Sequence, residues 1–98
     1  MDDDVIVVRD EYEQYADGTV ARVRVLQVPQ SAKFEHGIKY AFHCGDAVAD
    51  ETIIRFDNHH GTHELHLGDT TYEIEFPGLA TLYRAWRAGV PEDKRADW

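Results

Sequence analysis

Alternating apolar and polar residues along the first three quarters of the chain predict a series of β-strands. We expect strands at Val5 toward Tyr12, Val20 to Val28, Ile38 to Cys44, Thr52 to Asp57, Thr62 to Leu67 and Thr71 to Phe76. Asp17-Gly18 and Gly68-Asp69 separate neighbouring segments, and such pairs tolerate the positive φ angles of tight hairpin turns. The pattern therefore indicates antiparallel hairpins.

The period of the apolar positions changes near the C-terminus, where a helical stripe replaces the alternation. The stripe consists of Leu79, Leu82, Tyr83 and Trp86. Pro77-Gly78 marks the start of the helix, Gly89 fits the position after its last residue, and Pro91 prevents its continuation. The predicted fold class is α+β, with an antiparallel sheet of five to six strands and one C-terminal helix packed on one face.

The length of 98 residues predicts a single domain, 1–98, in which only residues 1–4 and 91–98 are candidates for disorder. The acidic start Met1-Asp2-Asp3-Asp4 differs from the basic start of a signal peptide, so we expect a cytoplasmic protein. No apolar run approaches the ~18 residues that a membrane-spanning helix needs. The only cysteine, Cys44, excludes an intrachain disulfide, and its place on the apolar side of a strand predicts a buried residue.

The charge is strongly acidic, with 19 Asp and Glu residues against 10 Lys and Arg residues and a formal net charge of −9. Lysine is scarce, and an acidic, lysine-poor surface suits a cytoplasm of very high salt, so we expect a halophilic source. The same charge argues against nonspecific nucleic-acid binding, which needs clustered cations. Any contact with RNA would require a local basic patch.

Strand alternation collects the scarce cations on one side of the sheet. This side is expected to carry Lys39, His43, Arg55, Asp57 and His66, together with Arg22 and Arg24 if the second strand faces the same way. The apolar side would meet the helix. An ordinary solvated sheet face is the alternative interpretation.

The segment after the fourth predicted strand is rich in histidine, which both accepts and donates protons near neutral pH. It contains His59, His60, His63 and His66, with Asp57 upstream. Three interpretations stay open here: a metal site, metal-free acid–base catalysis on a phosphodiester, and a purely structural turn. The metal set would be Asp57, His60, His63 and His66. Residues three apart in a strand point to opposite sides, however, which opposes convergence on one ion.

The same segment resembles a known family. Gly37-Ile38-Lys39-Tyr40, followed by Arg55-Phe56-Asp57-Asn58 and the histidines, is similar to the TumE family of toxins from type II toxin–antitoxin modules. The likeness covers roughly Gly18 to Val90. It departs from the family pattern at Thr62 and Glu64-Leu65, inside the histidine stretch.

This resemblance implies a cytoplasmic toxin, neutralised by an antitoxin with a helix-turn-helix domain, and a ribonuclease or other translation-blocking activity. A metal-independent ribonuclease needs a base, an acid and cations for the phosphorane, and no cofactor is expected. The candidate catalytic residues are His60, His66, Asp57, His59 and His63. The candidate substrate-binding residues are Arg55, Lys39, Arg22, Arg24 and His43. Among them His60 or His66 would transfer protons, Arg55 and Lys39 would hold phosphate, and Asp57 would orient a neighbour.

A protein-binding module without catalysis is the alternative function. Trp86, Tyr83 and Trp98 would then supply aromatic anchors for a partner, although Trp86 and Tyr83 also fit a core position. An exposed edge strand makes a homodimer with a continuous sheet a further expectation.

Overall fold

Six consecutive strands form an antiparallel meander, in which each strand is hydrogen-bonded to its neighbours in sequence. The computed structural model describes residues 5–98. The strands are β1 (Ile6–Gln14), β2 (Thr19–Gln27), β3 (Ile38–Asp46), β4 (Glu51–Asp57), β5 (His63–Leu67) and β6 (Thr70–Ile74). One helix, α1 (Leu79–Gly89), and a short 3-10 helix, Glu92–Asp97, follow them. The predicted α+β class is therefore confirmed.

The helix covers the middle of the sheet, where it contacts β3 and β4. Its stripe supplies Leu82 and Trp86 to the core, and both are buried. The sheet contributes every second residue of three strands: Ala21, Val23, Val25, Tyr40, Phe42, Cys44, Ile54 and Phe56. Cys44 is fully buried as predicted, so it serves as a small apolar residue of the core.

Gly89 lies inside the helix rather than after it, and Val90 is the first extended residue. This corrects the predicted helix end, and the reason is packing. A Cβ at Gly89 would lie 2.6 Å from Cδ1 of Ile54, so only glycine allows the last turn to approach β4. Arg95 satisfies carbonyls at this end, because its Nη2 donates to the oxygens of Ala88 at 3.1 Å and Val90 at 2.9 Å.

The C-terminal segment returns to the sheet and docks beside α1. Trp98 packs edge-on against Trp86, with ring centroids 5.2 Å apart, and its Nε1 donates to the Tyr15 hydroxyl at 3.2 Å. Lys94 is buried and forms an ion pair of 2.7 Å with Asp17. Of the two segments considered for disorder, 91–98 is thus folded onto the core, and residues 1–4 lie outside the described residues. No helix within residues 5–98 has the length and apolarity to cross a membrane.

Candidate functional site

The face of the sheet opposite α1 carries two adjacent rows of directly paired residues, and we call it the polar face. Opposed residues of antiparallel strands project to the same side, so the register decides which groups meet. The first row is Tyr12, Arg22, His43, Arg55 and His66. The second row is Asp10, Arg24, Ala41, Asp57 and Glu64. Side chains from five strands therefore meet on this face.

A pocket of about 330 Å³ opens on the polar face. Its cationic and imidazole lining consists of Arg22, Arg24, Lys39, Arg55, His43 and His59. All five residues expected to bind substrate line this pocket, and His59 joins them. Tyr12 and Ala41 also line it. The pairing of β1 with β2 brings Tyr12 here, which strand alternation within β1 alone did not indicate.

Two arginines of the pocket are held by β1. Asp10 accepts hydrogen bonds from Nε and Nη2 of Arg22, both at 3.0 Å, and its Oδ2 lies 3.8 Å from Nε of Arg24. The hydrogen bond from Arg22 lowers the pKa of Asp10, so this carboxylate stays ionised at neutral pH. Within residues 5–98, Lys39 forms no ion pair of this kind. Lys39 is therefore the pocket cation with the fewest ion pairs to other side chains of the described residues.

Asp57 anchors Arg55 from a buried position at the end of β4. Its Oδ2 accepts a hydrogen bond of 2.7 Å from Nε of Arg55, and its Oδ1 accepts one of 3.3 Å from the His59 amide. Burial alone would raise the pKa of Asp57, but the hydrogen bond and charge of Arg55, together with the amide and charge of His59, more than offset it, and the pKa is lowered. The carboxylate of Asp57 is therefore ionised at neutral pH, and its hydrogen bond fixes the guanidinium of Arg55 beside the pocket.

His66 lies next to this pair, at the end of the first row. Its Nε2 is 3.3 Å from Oδ2 of Asp57 and 3.7 Å from Oε1 of Glu64. Its Nδ1 is 3.1 Å from the hydroxyl of Thr71. Nε2 is buried, and its contact with Asp57 does not have the geometry of a hydrogen bond. Glu64 was not among the candidate residues, although its position two residues before His66 already placed it on this side.

Two neutral imidazoles face the pocket. Burial lowers the pKa of His43, and the charges of Arg55 and His66 lower it further. Burial also lowers the pKa of His59, more than the charge of Asp57 raises it. Nδ1 of His43 is buried without a hydrogen-bond partner. Both rings are therefore proton acceptors at neutral pH.

The histidine-rich segment divides between different environments. His63 lies on the helix side of β5, where its Nδ1 is 2.9 Å from the Tyr40 hydroxyl and its ring stacks on Phe76 at 4.6 Å. His60 is exposed in the loop after β4 and does not line the pocket. Asn58 is buried and structural, since its side chain bonds the Tyr40 amide and the Ile38 carbonyl.

The structure does not bring together the four residues of the metal interpretation. Ligand atoms of Asp57, Glu64 and His66 lie within 4.8 Å of one another, whereas His60 and His63 are outside this group. Arg55 already donates to Asp57 there, and a guanidinium beside a carboxylate competes with a bound cation. The arrangement is better suited to holding an anion, because four cationic side chains and two neutral imidazoles share one concavity.

A family model described as Toxin TumE matches residues 1–93. No curated protein and no solved structure shows a significant match to the chain.

Proposed function

Given that this chain belongs to the TumE family of toxins, and is therefore the toxin component of a toxin–antitoxin module, we propose that it is a metal-independent ribonuclease. The observation that carries the proposal is that His43, His59 and the cations Arg22, Lys39 and Arg55 line the same pocket of about 330 Å³. Acid–base catalysis on a phosphodiester needs both kinds of group within reach of one phosphate.

In the proposed reaction a neutral imidazole, His43 or His59, removes the proton of a ribose 2′-hydroxyl. The oxygen attacks the adjacent phosphorus, the bond to the 5′-oxygen breaks, and a 2′,3′-cyclic phosphate forms. Arg55 and Lys39 stabilise the charge that grows on the phosphoryl oxygens. His66 does not itself line the pocket, but it is paired with Arg55 in the first row, and from there it supplies a proton to the leaving oxygen. Asp57 positions Arg55 without reacting.

The net charge of −9 opposes the approach of RNA. Two features offset it in this proposal. The cations are concentrated on one face, and salt shortens the range of repulsion, with a Debye length of about 3 Å at 1 M. We therefore keep the prediction of a halophilic cytoplasm, in which the acidic surface is screened while close contacts in the pocket persist.

The test is cleavage of end-labelled RNA by the purified chain at high salt, with a chelator and separately with added zinc or magnesium. We expect cleavage in the chelator and products that end in a cyclic phosphate. His43→Gln and His66→Gln are each expected to lower the rate by roughly 10²–10⁴-fold. Cleavage that occurs only with added metal would favour the Asp57, Glu64 and His66 group instead, and absence of cleavage would reject the ribonuclease.

A toxin of this family implies an antitoxin partner, and we propose that the partner carries a helix-turn-helix domain. The same proposal has both proteins act in the cytoplasm. Co-expression with the product of an adjacent gene is expected to abolish growth arrest. Co-purification with a partner that lacks a helix-turn-helix domain would contradict this.

A non-catalytic binding module is the second candidate, and β1 favours it. Ile6, Val7 and Val8 on this edge strand, and Val5 just before it, are each 43–61% exposed. Such a row suits a partner that adds a strand or covers the edge. A bulge between Val7 and Arg9 interrupts the regular edge, which makes pairing with a second copy less favourable. Growth arrest that survives His43→Gln and His66→Gln would favour this function.

A further inference from the structure

Tyr12 is an aromatic residue that the folding of the chain does not explain. It lies on the edge strand β1 and is 52% exposed. Its side chain projects to the polar face, where it is paired with Arg22 of β2. It does not contribute to the core between sheet and helix. An exposed aromatic ring beside cations is a common platform for the bases of single-stranded nucleic acid.

The pocket has an apolar part and a charged part. Tyr12 and the aliphatic residues Val20 and Leu26 line it together with the small residue Ala41. The charged part consists of Arg22, Arg24, Lys39 and Arg55. An aromatic and aliphatic surface next to guanidinium and ammonium groups matches a flat heterocycle joined to a phosphate.

The order of residues in the first row orients such a ligand. Tyr12 is on β1 and Arg55 is on β4, with Arg22 and His43 between them. Three strand spacings of about 4.8 Å place the ends of this run about 14 Å apart. A base at Tyr12 would therefore leave its sugar and phosphate over Arg22 and His43, toward Arg55.

We propose that this pocket binds a nucleotide of single-stranded RNA, with the base stacked on Tyr12 and the adjacent phosphate held by Arg22, Lys39 and Arg55. The inference rests on the proposed ribonuclease and assigns its substrate as unpaired RNA, since an unpaired base can turn out of its strand and lie flat on an exposed aromatic ring. An acidic peptide is the competing ligand. The face of a tyrosine ring is electronegative and repels carboxylates, so Tyr12 favours the nucleotide.

The test measures binding without cleavage. A fluorescent single-stranded oligonucleotide with 2′-O-methyl riboses lacks the attacking hydroxyl, and fluorescence anisotropy gives its Kd. We expect Tyr12→Leu to raise the Kd roughly 5- to 150-fold, the range that follows from a stacking contribution of about 1–3 kcal/mol. Tyr12→Trp keeps a platform and is expected to stay within a few-fold of the parent chain.

Tyr72→Leu is the matched control. Tyr72 is 49% exposed on the other edge strand, β6, and lies outside the pocket. It is expected to leave the Kd unchanged. Both tyrosines are exposed, so neither substitution removes core packing and both variants are expected to fold. Circular dichroism of each variant checks this.

An abasic oligonucleotide and a poly-glutamate peptide complete the design. The effect of Tyr12→Leu should disappear with the abasic strand, and poly-glutamate should bind no better to the parent chain than to Tyr12→Leu.

Equal Kd values for Tyr12→Leu and Tyr72→Leu would overturn this inference alone if the chain still cleaves RNA. An equal loss with poly-glutamate would assign the pocket to an acidic peptide. Absence of oligonucleotide binding in every variant would overturn the inference, and absence of cleavage as well would reject the proposed function.

Discussion

The hydroxyl of Tyr40 lies 2.9 Å from Nδ1 of His63, on the side of the sheet that the helix covers. The ring of His63 also stacks on Phe76, and burial lowers the pKa of this histidine. His66 is three residues further along β5 and projects to the opposite side, beside Asp57. Two histidines of one short strand therefore have separate surroundings, which makes them a natural pair for comparison.

We predict that His63→Phe retains growth arrest and RNA cleavage, whereas His66→Phe loses both. Phenylalanine can preserve the stack on Phe76 at position 63, but it cannot transfer a proton at position 66. The expected loss at position 66 is roughly 10²–10⁴-fold in cleavage rate. Equal cleavage rates for the two variants would show that His66 has no part in catalysis.

Asp57→Asn is predicted to lower the free energy of unfolding at neutral pH by about 2 kcal/mol, because Arg55 loses a buried, charge-assisted hydrogen bond. The pKa of Asp57 is lowered in the folded state, so its contribution is fully present above its ordinary value of 3.8. The contribution is lost as the pH falls through the depressed value. Urea unfolding of the two proteins should therefore converge in strong acid.

Asp69→Asn is the control for this experiment. Asp69 lies exposed in the turn between β5 and β6, and the substitution removes the same formal charge. It should leave the free energy of unfolding within about 0.5 kcal/mol of the parent chain. A gap between parent and Asp57→Asn that persists unchanged in acid would show that the carboxylate charge is not the cause.

The cleavage rate is predicted to fall in acid with a midpoint below pH 6.5, the ordinary pKa of histidine. Burial lowers the pKa of both His43 and His59, and a protonated imidazole cannot accept the proton of a hydroxyl. Single-turnover cleavage rates measured from acidic to neutral pH give this midpoint. A midpoint above the ordinary value would exclude both rings as the base.

Lys39→Ala is predicted to weaken RNA binding and to reduce the slope of log K against log salt by roughly one. The reason is that Lys39 lines the pocket and contacts phosphate in the proposed complex. Lys33→Ala is the matched control, because Lys33 lies outside this pocket, over the ring of Phe34 at 5.5 Å. Equal changes in slope for both lysines would indicate a nonspecific charge effect.

Much of the fold follows from local pattern. Alternation predicted all six strands and the sides of Phe42, Cys44 and Ile54, since a strand exposes successive residues to opposite faces. The helical stripe predicted the burial of Leu82 and Trp86. Gly89 shows the limit of local pattern. Glycine is needed at this position because Ile54 packs against it, and Ile54 is 35 positions away in the chain.

The sequence by itself determined which residues share a side within each strand, and it thereby selected the cations and the histidines as candidates. It did not determine the register between strands. That register, decided by packing of the whole sheet against α1, places Tyr12 beside Arg22 and His66 beside Arg55. Alternation within β5 already separates His63 from the polar face, whereas contact between distant strands depends on tertiary pairing and not on spacing along the chain.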